Sequence, residues 1–304
     1  MIKKILYLNV IILFILAIFN NKIIFTGATT GIHLILFTIL PSIFPFLLIT
    51  GMLSATNVMK YTGSLLYPVL HKVLGLSHAA GYVIVIGFFC GYPVASKVCS
   101  DLVQSGELTV NEGNYLLTFI NNPSPSFIFS YLAGSILHNS FSSFKLAVSL
   151  YIPVILTALI INPFVRRRFK YTGQHSDKHK SDNCLNFEKI MDSSLITMIH
   201  ISEYVLVFSI LCEFTKLIPC RIISIILSGL LEITNGTHAA GISTMPYITR
   251  NYAVILFTSL GGLSALLQVK SVIKNSSLSI KWYIIGKLLS SFITLICLQI
   301  VFNE

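Results

Sequence analysis

Long apolar runs, interrupted at a few points by polar or helix-breaking residues, dominate the pattern of this chain. The runs cover about 5–19, 31–55, 63–74, 79–90, 114–120, 126–137 and 141–164, and then 190–217, 218–233, 252–269 and 280–302. Apolar runs of about twenty residues cross a bilayer as helices, whereas shorter runs are re-entrant or interfacial. The pattern therefore predicts an all-α, polytopic membrane helix bundle of about 8–10 apolar segments, some of them broken or re-entrant.

The breaks in these runs recur at a separation of 140 positions. The segment 116–124 falls on 256–264 with Leu, Thr and Ser in common, and a cluster of helix breakers precedes each copy, at 91–93 and at 232–236. Paired interruptions in two halves of a membrane chain are typical of transporters built from inverted repeats. The repeat predicts two inverted halves, 31–165 and 184–304.

Basic residues predict the topology. Lys3 and Lys4 precede the first apolar run, which we interpret as an N-terminal transmembrane anchor in 1–30. The long polar stretch 166–183 is rich in Arg and Lys, and positive charge between spans marks the cytoplasmic side. We therefore expect a basic cytoplasmic hinge between the halves and a multi-pass protein of the cell (cytoplasmic) membrane.

Composition excludes several functional classes. Hydrophobic residues make up 54% of the 304 positions and charged residues 11%, with a mean hydropathy of +0.81, so lipid must serve as solvent for much of the surface. The net charge of +10 lies mainly in short segments between apolar runs, which argues against nucleic acid as a partner. The six cysteines form no CxxC pair, and the sequence has no Walker loop, HExxH or nucleophile–base pattern. We expect no enzyme activity, no cofactor and no resident metal.

The broken helices indicate where a solute binds. Unwinding a helix inside the membrane frees N–H and C=O groups that must face protein, water or a ligand, and half-helix N-termini attract anionic or hydroxyl-rich groups. The alternative is a set of proline kinks held by packing. The candidate substrate-binding residues at the breaks are Gly91, Tyr92, Pro93, Ser96, Lys97, Asn121, Asn122, Pro123, Ser124, Glu232, Thr234, Asn235, Thr237 and Ser264.

Polar side chains near the breaks each allow two interpretations. Lys97 and Asp101 share a helix face at i, i+4, and either serve a substrate or are solvated at the headgroups. Asn121 and Asn122 can bind a base or sugar, or instead form an interhelical hydrogen bond. Glu232 is either an intramembrane cation or proton site, or a helix-end acid at the interface.

Two sequence blocks resemble the sporulation integral membrane protein YlbJ family. The first runs from Gly87 through Gly91-Tyr92-Pro93 to Lys97, and the second contains Asn121-Asn122. Glu232-Ile233-Thr234 and the later Gly261-x-x-Ser264-x-x-x-Gln268 are similar to the same family over nearly the whole chain, and add Gln268 to the candidate site. Cys90 stands where the family usually has a small serine.

This resemblance implies a nucleoside-recognition, or Gate, element in each half and a role in spore cortex formation. The leading hypothesis is a sporulation-linked transporter or permease for a small polar solute, with a coupling ion, in the mother-cell or forespore membrane. One alternative is a non-transporting scaffold that assembles spore-envelope partners through the hinge 166–180. Further copies of the chain are a separate candidate partner. Another is a metal-ion gate at Cys90, because this cysteine precedes Pro93 at the spacing of the ferrous-iron transporter's gate.

Overall fold

The computed structural model describes residues 19–54, 56, 67–138, 142–166 and 187–302. Its described elements are helical throughout, which confirms the predicted all-α class. The predictions for the run 5–19 and for hinge residues 167–183 lie almost entirely outside the described residues. Of the hinge, Arg166 alone is described, at the end of a helix.

The first half is a series of short helices followed by one long helix. They are α1 (Asn21–Leu34), a π-helical turn (Ile35–Ile39), α2 (Leu40–Ser54), α3 (Tyr67–Leu74), α4 (His78–Phe89), α5 (Val94–Gln104), α6 (Val110–Leu117), a π-helix (Phe127–Ile136) and α7 (Ser143–Val165). Side-chain caps begin two of them, because Ser77 accepts from the Ala80 N–H and Thr109 accepts from the Glu112 N–H. The predicted break at 91–93 lies between α4 and α5, and the predicted break at 121–125 lies between α6 and the π-helix.

The second half has a closely similar order. Its helices are α8 (Phe187–Thr215), α9 (Arg221–Leu231), α10 (Ile233–Gly241), α11 (Tyr247–Leu260), α12 (Gly262–Val272) and α13 (Ile280–Phe302). Glu232 separates α9 from α10, and Gly261, with φ +90, separates α11 from α12. An L-residue with a side chain rarely adopts this left-handed backbone, which is why glycine stands at the second break.

Five helical segments in the described residues are long and apolar enough to cross a membrane. They are Asn21–Ile39, Ser143–Val165, Phe187–Thr215, Tyr247–Val272 and Ile280–Ile300. The pair α3 and α4 is apolar as well, but it is bent by 102° between Leu74 and His78, as in a broken span or a re-entrant loop. The chain is therefore a multi-pass membrane protein with broken helices, as the hydrophobic pattern predicts.

Close helix contacts join the two halves. The α1–α2 segment runs antiparallel to α8, since Gly27 lies against Ile210 and Gly51 lies against Ile190. The N-terminal end of α13 packs beside α6, where the Ser279 N–H donates to Asn114 Oδ1 at 2.8 Å. Small residues at such contacts let helix backbones approach closely, which is the usual means of helix association in lipid.

The relative direction of α7 and α13 follows from their shared neighbour α6. Thr118 follows Asn114 on α6 and lies against Gly286 of α13, so α6 and α13 run in parallel. Tyr115 donates to the Ala158 carbonyl of α7 at 2.7 Å, and Tyr151 donates to the Pro123 carbonyl at 3.0 Å, so α6 and the chain after it run antiparallel to α7. The long helices α7 and α13, which contact each other, are therefore antiparallel.

Candidate functional site

A cavity lies where three of the helix breaks approach one another. Its empty space is about 670 Å³, including the open space at its mouth. Its polar wall is formed by the breaks and by the start of α12, and its apolar wall by the π-helical turn, α2 and α8. The lining residues are Thr38, Ile39, Ile43, Cys90, Gly91, Tyr92, Asn122, Pro123, Ser124, Phe127, Ile201, Val205, Glu232, Ile233, Thr234, Ala265 and Gln268.

The two breaks of the first half touch each other directly. Gly91 has a φ of +78, and the Tyr92 N–H donates to the Asn122 carbonyl at 3.1 Å. A Cβ added at Gly91 would lie 2.8 Å from that same carbonyl oxygen and 3.0 Å from the Ser124 nitrogen. The chain therefore needs glycine here, because backbone from the other break occupies the space of a side chain.

The two breaks of the second half also meet. Gly262, with a φ of +66, faces the last carbonyl groups of α9, and a Cβ added to it would lie 3.3 Å from the Leu231 oxygen. Glu232 follows Leu231 and begins α10, where its carboxylate Oε2 accepts from the Asn235 N–H at 2.7 Å. The carboxylate is thus held at a half-helix N-terminus, where partial positive charge stabilises an anion.

Glu232 is the buried acid of the cavity, with 5% of its surface exposed. It lies close enough to Tyr92 of the first half to interact with it electrostatically. Gln268 also lines the cavity, and its Nε2 donates to Ser264 Oγ at 3.0 Å. The site therefore offers one carboxylate together with amide and hydroxyl groups, a set that recognises amine and hydroxyl donors.

A comparison with known proteins identifies a relative of this chain. The chain is 22% identical to the protein named sporulation integral membrane protein YlbJ of Bacillus subtilis (strain 168), over 87% of this chain and 74% of the relative. This similarity supports placing the chain in the YlbJ family. No family model matches the chain, and no solved structure matches it.

Eight of the fifteen candidate residues line the cavity. They are Gly91, Tyr92, Asn122, Pro123, Ser124, Glu232, Thr234 and Gln268. Pro93, Ser96, Lys97, Asn121, Asn235, Thr237 and Ser264 do not line it. A role in substrate binding stays a prediction for all fifteen residues. The structure shows which of them line the cavity and which lie behind its wall.

Several of the supporting residues bond to nearby backbone or side chains. Asn121 accepts from Ser96 at 2.6 Å and donates to the Leu117 carbonyl at 3.3 Å. Asn235 donates to Ser209 at 3.0 Å, and Thr237 donates to the Ile233 carbonyl at 2.8 Å. Of these bonds, the one to the Leu117 carbonyl satisfies a backbone group at the end of α6, where unwound backbone in a membrane needs a partner.

Lys97 and Asp101 form an ion pair on α5, with Nζ at 2.5 Å and 2.7 Å from the two carboxylate oxygens. They lie outside the first cavity and line a second one, with about 660 Å³ of empty space including its opening, between α2, α5 and α8.

His200 and Glu203 are also adjacent, at 3.3 Å, on an exposed face of α8. In the part of the chain that the structure describes, no group of three or more His, Cys, Asp or Glu side chains could hold a metal ion.

Lys287 is a buried residue that the sequence analysis missed. It lies on α13 with 8% of its surface exposed, and its Nζ donates to the Ser259 carbonyl at 3.1 Å. Its ammonium also lies 5.4 Å from the centre of the Tyr92 ring. The signal that could have found it is a lysine inside the apolar run 280–302, because an ionisable residue within a membrane span is a functional candidate by default.

The bond between Ser96 and Asn121 is expected to contribute measurably to stability. We expect Ser96→Ala and Asn121→Ala each to lower the free energy of unfolding by about 1–2 kcal/mol, because each leaves a buried polar partner unsatisfied. The double variant should lose less than the sum, with a coupling of about 1 kcal/mol in a double-mutant cycle measured by denaturation in detergent. The exposed pair Lys97 and Asp101 is the control, with an expected coupling below about 1 kcal/mol. Strict additivity at Ser96 and Asn121 would contradict this role.

Proposed function

We propose that this chain is a sporulation integral membrane protein that carries a small polar solute across the membrane. The observation that carries the proposal is the cavity at which breaks from both sequence halves approach, with the buried Glu232 in its polar wall. Unwound backbone within a membrane is tolerated where it lines a cavity, and transporter binding sites near mid-membrane are built in this way. The sporulation setting rests on the name of the Bacillus subtilis relative.

The order and direction of the helices support a transporter with two inverted halves. Each half has two short helices around a first break, two more around a second break, and a long final helix, α7 or α13. These final helices are antiparallel, as an inverted repeat requires. Tyr115 and Tyr252 donate to the carbonyl groups of Ala158 and Leu298. The two acceptors are 140 positions apart, and the two donors are 137 positions apart.

A route toward the membrane surface supports transport as well. The second cavity lies next to the first along two helices that contribute to both, α2 and α8. On α2 the lining passes from Ile43 to Leu47, and on α8 from Ile201 to Thr197, a step of about 6 Å in each helix. The route continues to Lys189, near the start of α8, the end that follows the predicted cytoplasmic hinge.

On the opposite side of the first cavity, the helices are closely packed. A Cβ added at Gly27 of α1 would lie 2.6 Å from the Ile210 Cα of α8, and Asn235 of α10 is bonded to Ser209 of α8. A cavity on one side and close packing on the other is the asymmetry expected of one state in alternating access. This state faces the side of the predicted hinge.

The chemistry of the cavity supports a solute with amine or hydroxyl donors. Glu232 contributes a carboxylate, and the Asn122, Ser124 and Thr234 positions add polar groups. Ile39, Ile201 and Phe127 add apolar surface to the same lining. A solute with donors at one end and an apolar or flat portion at the other fits such a wall.

The test is uptake by the purified chain in liposomes, with a panel of nucleosides, amino acids and cations. We expect Glu232→Gln to reduce uptake of the accepted solute by about 10- to 100-fold, because it removes one charge-assisted hydrogen bond. Glu203→Gln is the matched control, since its side chain is 61% exposed and belongs to α8 outside the cavity. Equal uptake by the two variants, or no uptake of any solute by the unmodified chain, would argue against the proposal.

A cellular assay tests the sporulation setting separately. In cells that lack this chain, we expect spore formation to be restored by the unmodified gene and by the Glu203→Gln form, and not by Glu232→Gln. Membrane levels of all three proteins must match for this comparison. Full restoration by Glu232→Gln would show that the buried carboxylate is dispensable.

A further inference from the structure

The ammonium of Lys287 lies at the broken end of a membrane helix. Because α11 ends at Leu260, its last carbonyl groups lack helical N–H partners and carry partial negative charge. The Ser259 carbonyl is one of these groups, and it accepts from Lys287 Nζ at 3.1 Å. Half-helix C-terminal ends of this kind bind the coupling cation in transporters with broken helices.

Further oxygen atoms lie around the same helix end. Ser259 Oγ is 3.0 Å from Thr294 Oγ1 and accepts from Ser291 Oγ at 3.3 Å. Tyr283 Oη is buried, has no hydrogen-bond partner among the described residues, and lies 3.0 Å from the place where a Cβ on Gly261 would be. Carbonyl and hydroxyl oxygens are the ligands that hard cations prefer. The cluster therefore has the chemistry of a cation site, with the lysine ammonium already inside it.

Lys287 has no carboxylate partner within the described residues. The ion pairs there join Lys97 to Asp101, His200 to Glu203 and Lys216 to Glu213, and none includes Lys287. The ammonium also does not extend toward the headgroups, since it bonds to Ser259 and is buried two turns into α13. An intramembrane lysine without a counter-ion is costly to bury, which argues for a functional reason to keep it.

The ammonium is connected to the solute cavity through Tyr92. The Tyr92 ring lies 5.4 Å below Nζ, at cation–π distance, and Tyr92 itself lines the cavity. Glu232, the cavity's carboxylate, lines that cavity together with the same tyrosine. The contact also joins the halves, because Lys287 belongs to the second and Tyr92 to the first. The position 140 residues before Lys287 is Ala147, so the first half has no equivalent ammonium.

The other titratable groups near α13 are engaged elsewhere. Tyr283 lies one turn earlier on α13 itself. On the helices packed against α13, Tyr115 of α6 and Tyr151 of α7 donate to backbone carbonyls, as does Tyr252 of α11. Arg250 of α11 lies over the Tyr247 ring, and Lys270 is on the last turn of α12. Tyr92, Tyr283 and, beyond Tyr92, Glu232 are therefore the groups that face the ammonium.

We propose that Lys287 is the built-in cation of this oxygen cluster, so that solute movement is coupled to a proton on Lys287 and not to a bound sodium ion. In the protonated state the ammonium bonds to the Ser259 carbonyl and to the Tyr92 ring. Release of one proton to water leaves a neutral amine and weakens both contacts, and a proton taken from water on the other side restores them. The coupling of solute movement to a proton rests on the proposed transport function. The occupation of the cation site by the Lys287 ammonium does not.

The occupancy is tested by thermal unfolding of the full chain in lipid nanodiscs. Each protein is compared in sodium chloride and in N-methyl-D-glucamine chloride at equal ionic strength. The unmodified chain and Lys281→Ala, which changes an exposed lysine of the same helix, should show Tm values within about 1 °C between the salts. Lys287→Ala opens the cluster, and sodium should raise its Tm by about 3 °C or more. Lys287→Met removes the charge but fills the space, and sodium should not stabilise it.

Two results would overturn the inference. Stabilisation of the unmodified chain by sodium would show that the lysine does not replace a bound cation, and an absence of any sodium effect in Lys287→Ala would show that no cation site exists there. Should the alanine variant not fold, Lys287→Ser carries the same expectation, and the unmodified chain still supplies the first result. The expected sodium pattern without uptake of any solute would refute transport alone, whereas uptake with a failed sodium pattern would refute this inference alone.

Discussion

Alanine at Gly91 is expected to lower solute uptake by about tenfold or more, whereas alanine at Gly106 should leave it unchanged. Both glycines have left-handed backbone, with φ of +78 and +80, so the conformational penalty of about 1 kcal/mol is common to both. Their surroundings differ. A Cβ at Gly91 would lie 2.8 Å from the Asn122 oxygen, while a Cβ at Gly106 would meet nothing within 4 Å. The comparison therefore isolates the close approach of two broken helices.

The clash at Gly91 involves backbone atoms, so no rotamer change can relieve it. The first break must move away from the second, and the bond from the Tyr92 N–H to the Asn122 carbonyl must lengthen. We expect an additional loss of about 2–3 kcal/mol in the free energy of unfolding relative to Gly106→Ala. Uptake should fall by about tenfold or more, because an ångström of displacement in a binding site is costly. Equal stability and uptake for the two alanine variants would contradict the proposed wall of the cavity.

The positions of the helix breaks were predictable from the sequence. Gly91-Tyr92-Pro93, Asn121-Asn122 and Glu232 are conspicuous within apolar runs, and helices end within a few residues of each. Glycine permits a positive φ, and proline lacks a backbone N–H donor. Both interrupt a helix through local backbone effects, so the break can be predicted from the sequence. The multi-pass helical class was predictable for the same reason, since apolar run length is set by bilayer thickness.

Which polar side chains face the cavity could not be read from the sequence. Asn121 and Asn122 are adjacent and chemically identical, yet Asn122 lines the cavity and Asn121 bonds to Ser96 of another helix. That difference depends on the direction in which an irregular segment turns, and irregular backbone has no fixed period from which a face can be inferred. Lys287 is the opposite case, because its charge within an apolar run was visible and its partners were not.

A last expected result concerns how the two halves are held together. Alanine at Gly286 of α13 should strongly destabilise the protein, although alanine usually favours a helix by about 1 kcal/mol over glycine. A Cβ at Gly286 would lie 2.0 Å from the Thr118 carbonyl oxygen and 2.5 Å from its carbonyl carbon. Thr118 lies at the end of α6, where the second break of the first half begins, so neither backbone can yield without moving a wall of the cavity.

Gly134→Ala is the matched control, because the nearest atom to its added Cβ is the Phe129 oxygen at an ordinary 3.6 Å. Thermal unfolding in nanodiscs should show a Tm for Gly286→Ala that is lower by about 5–10 °C, from a loss of about 3 kcal/mol. Gly134→Ala should unfold at or above the temperature of the unmodified chain. A Gly286→Ala protein of normal stability would mean that α13 can withdraw from α6 at little cost. The packing of α13 against the first half would then contribute little to stability. The contact between Lys287 and Tyr92, which depends on that packing, would not be held in a fixed position.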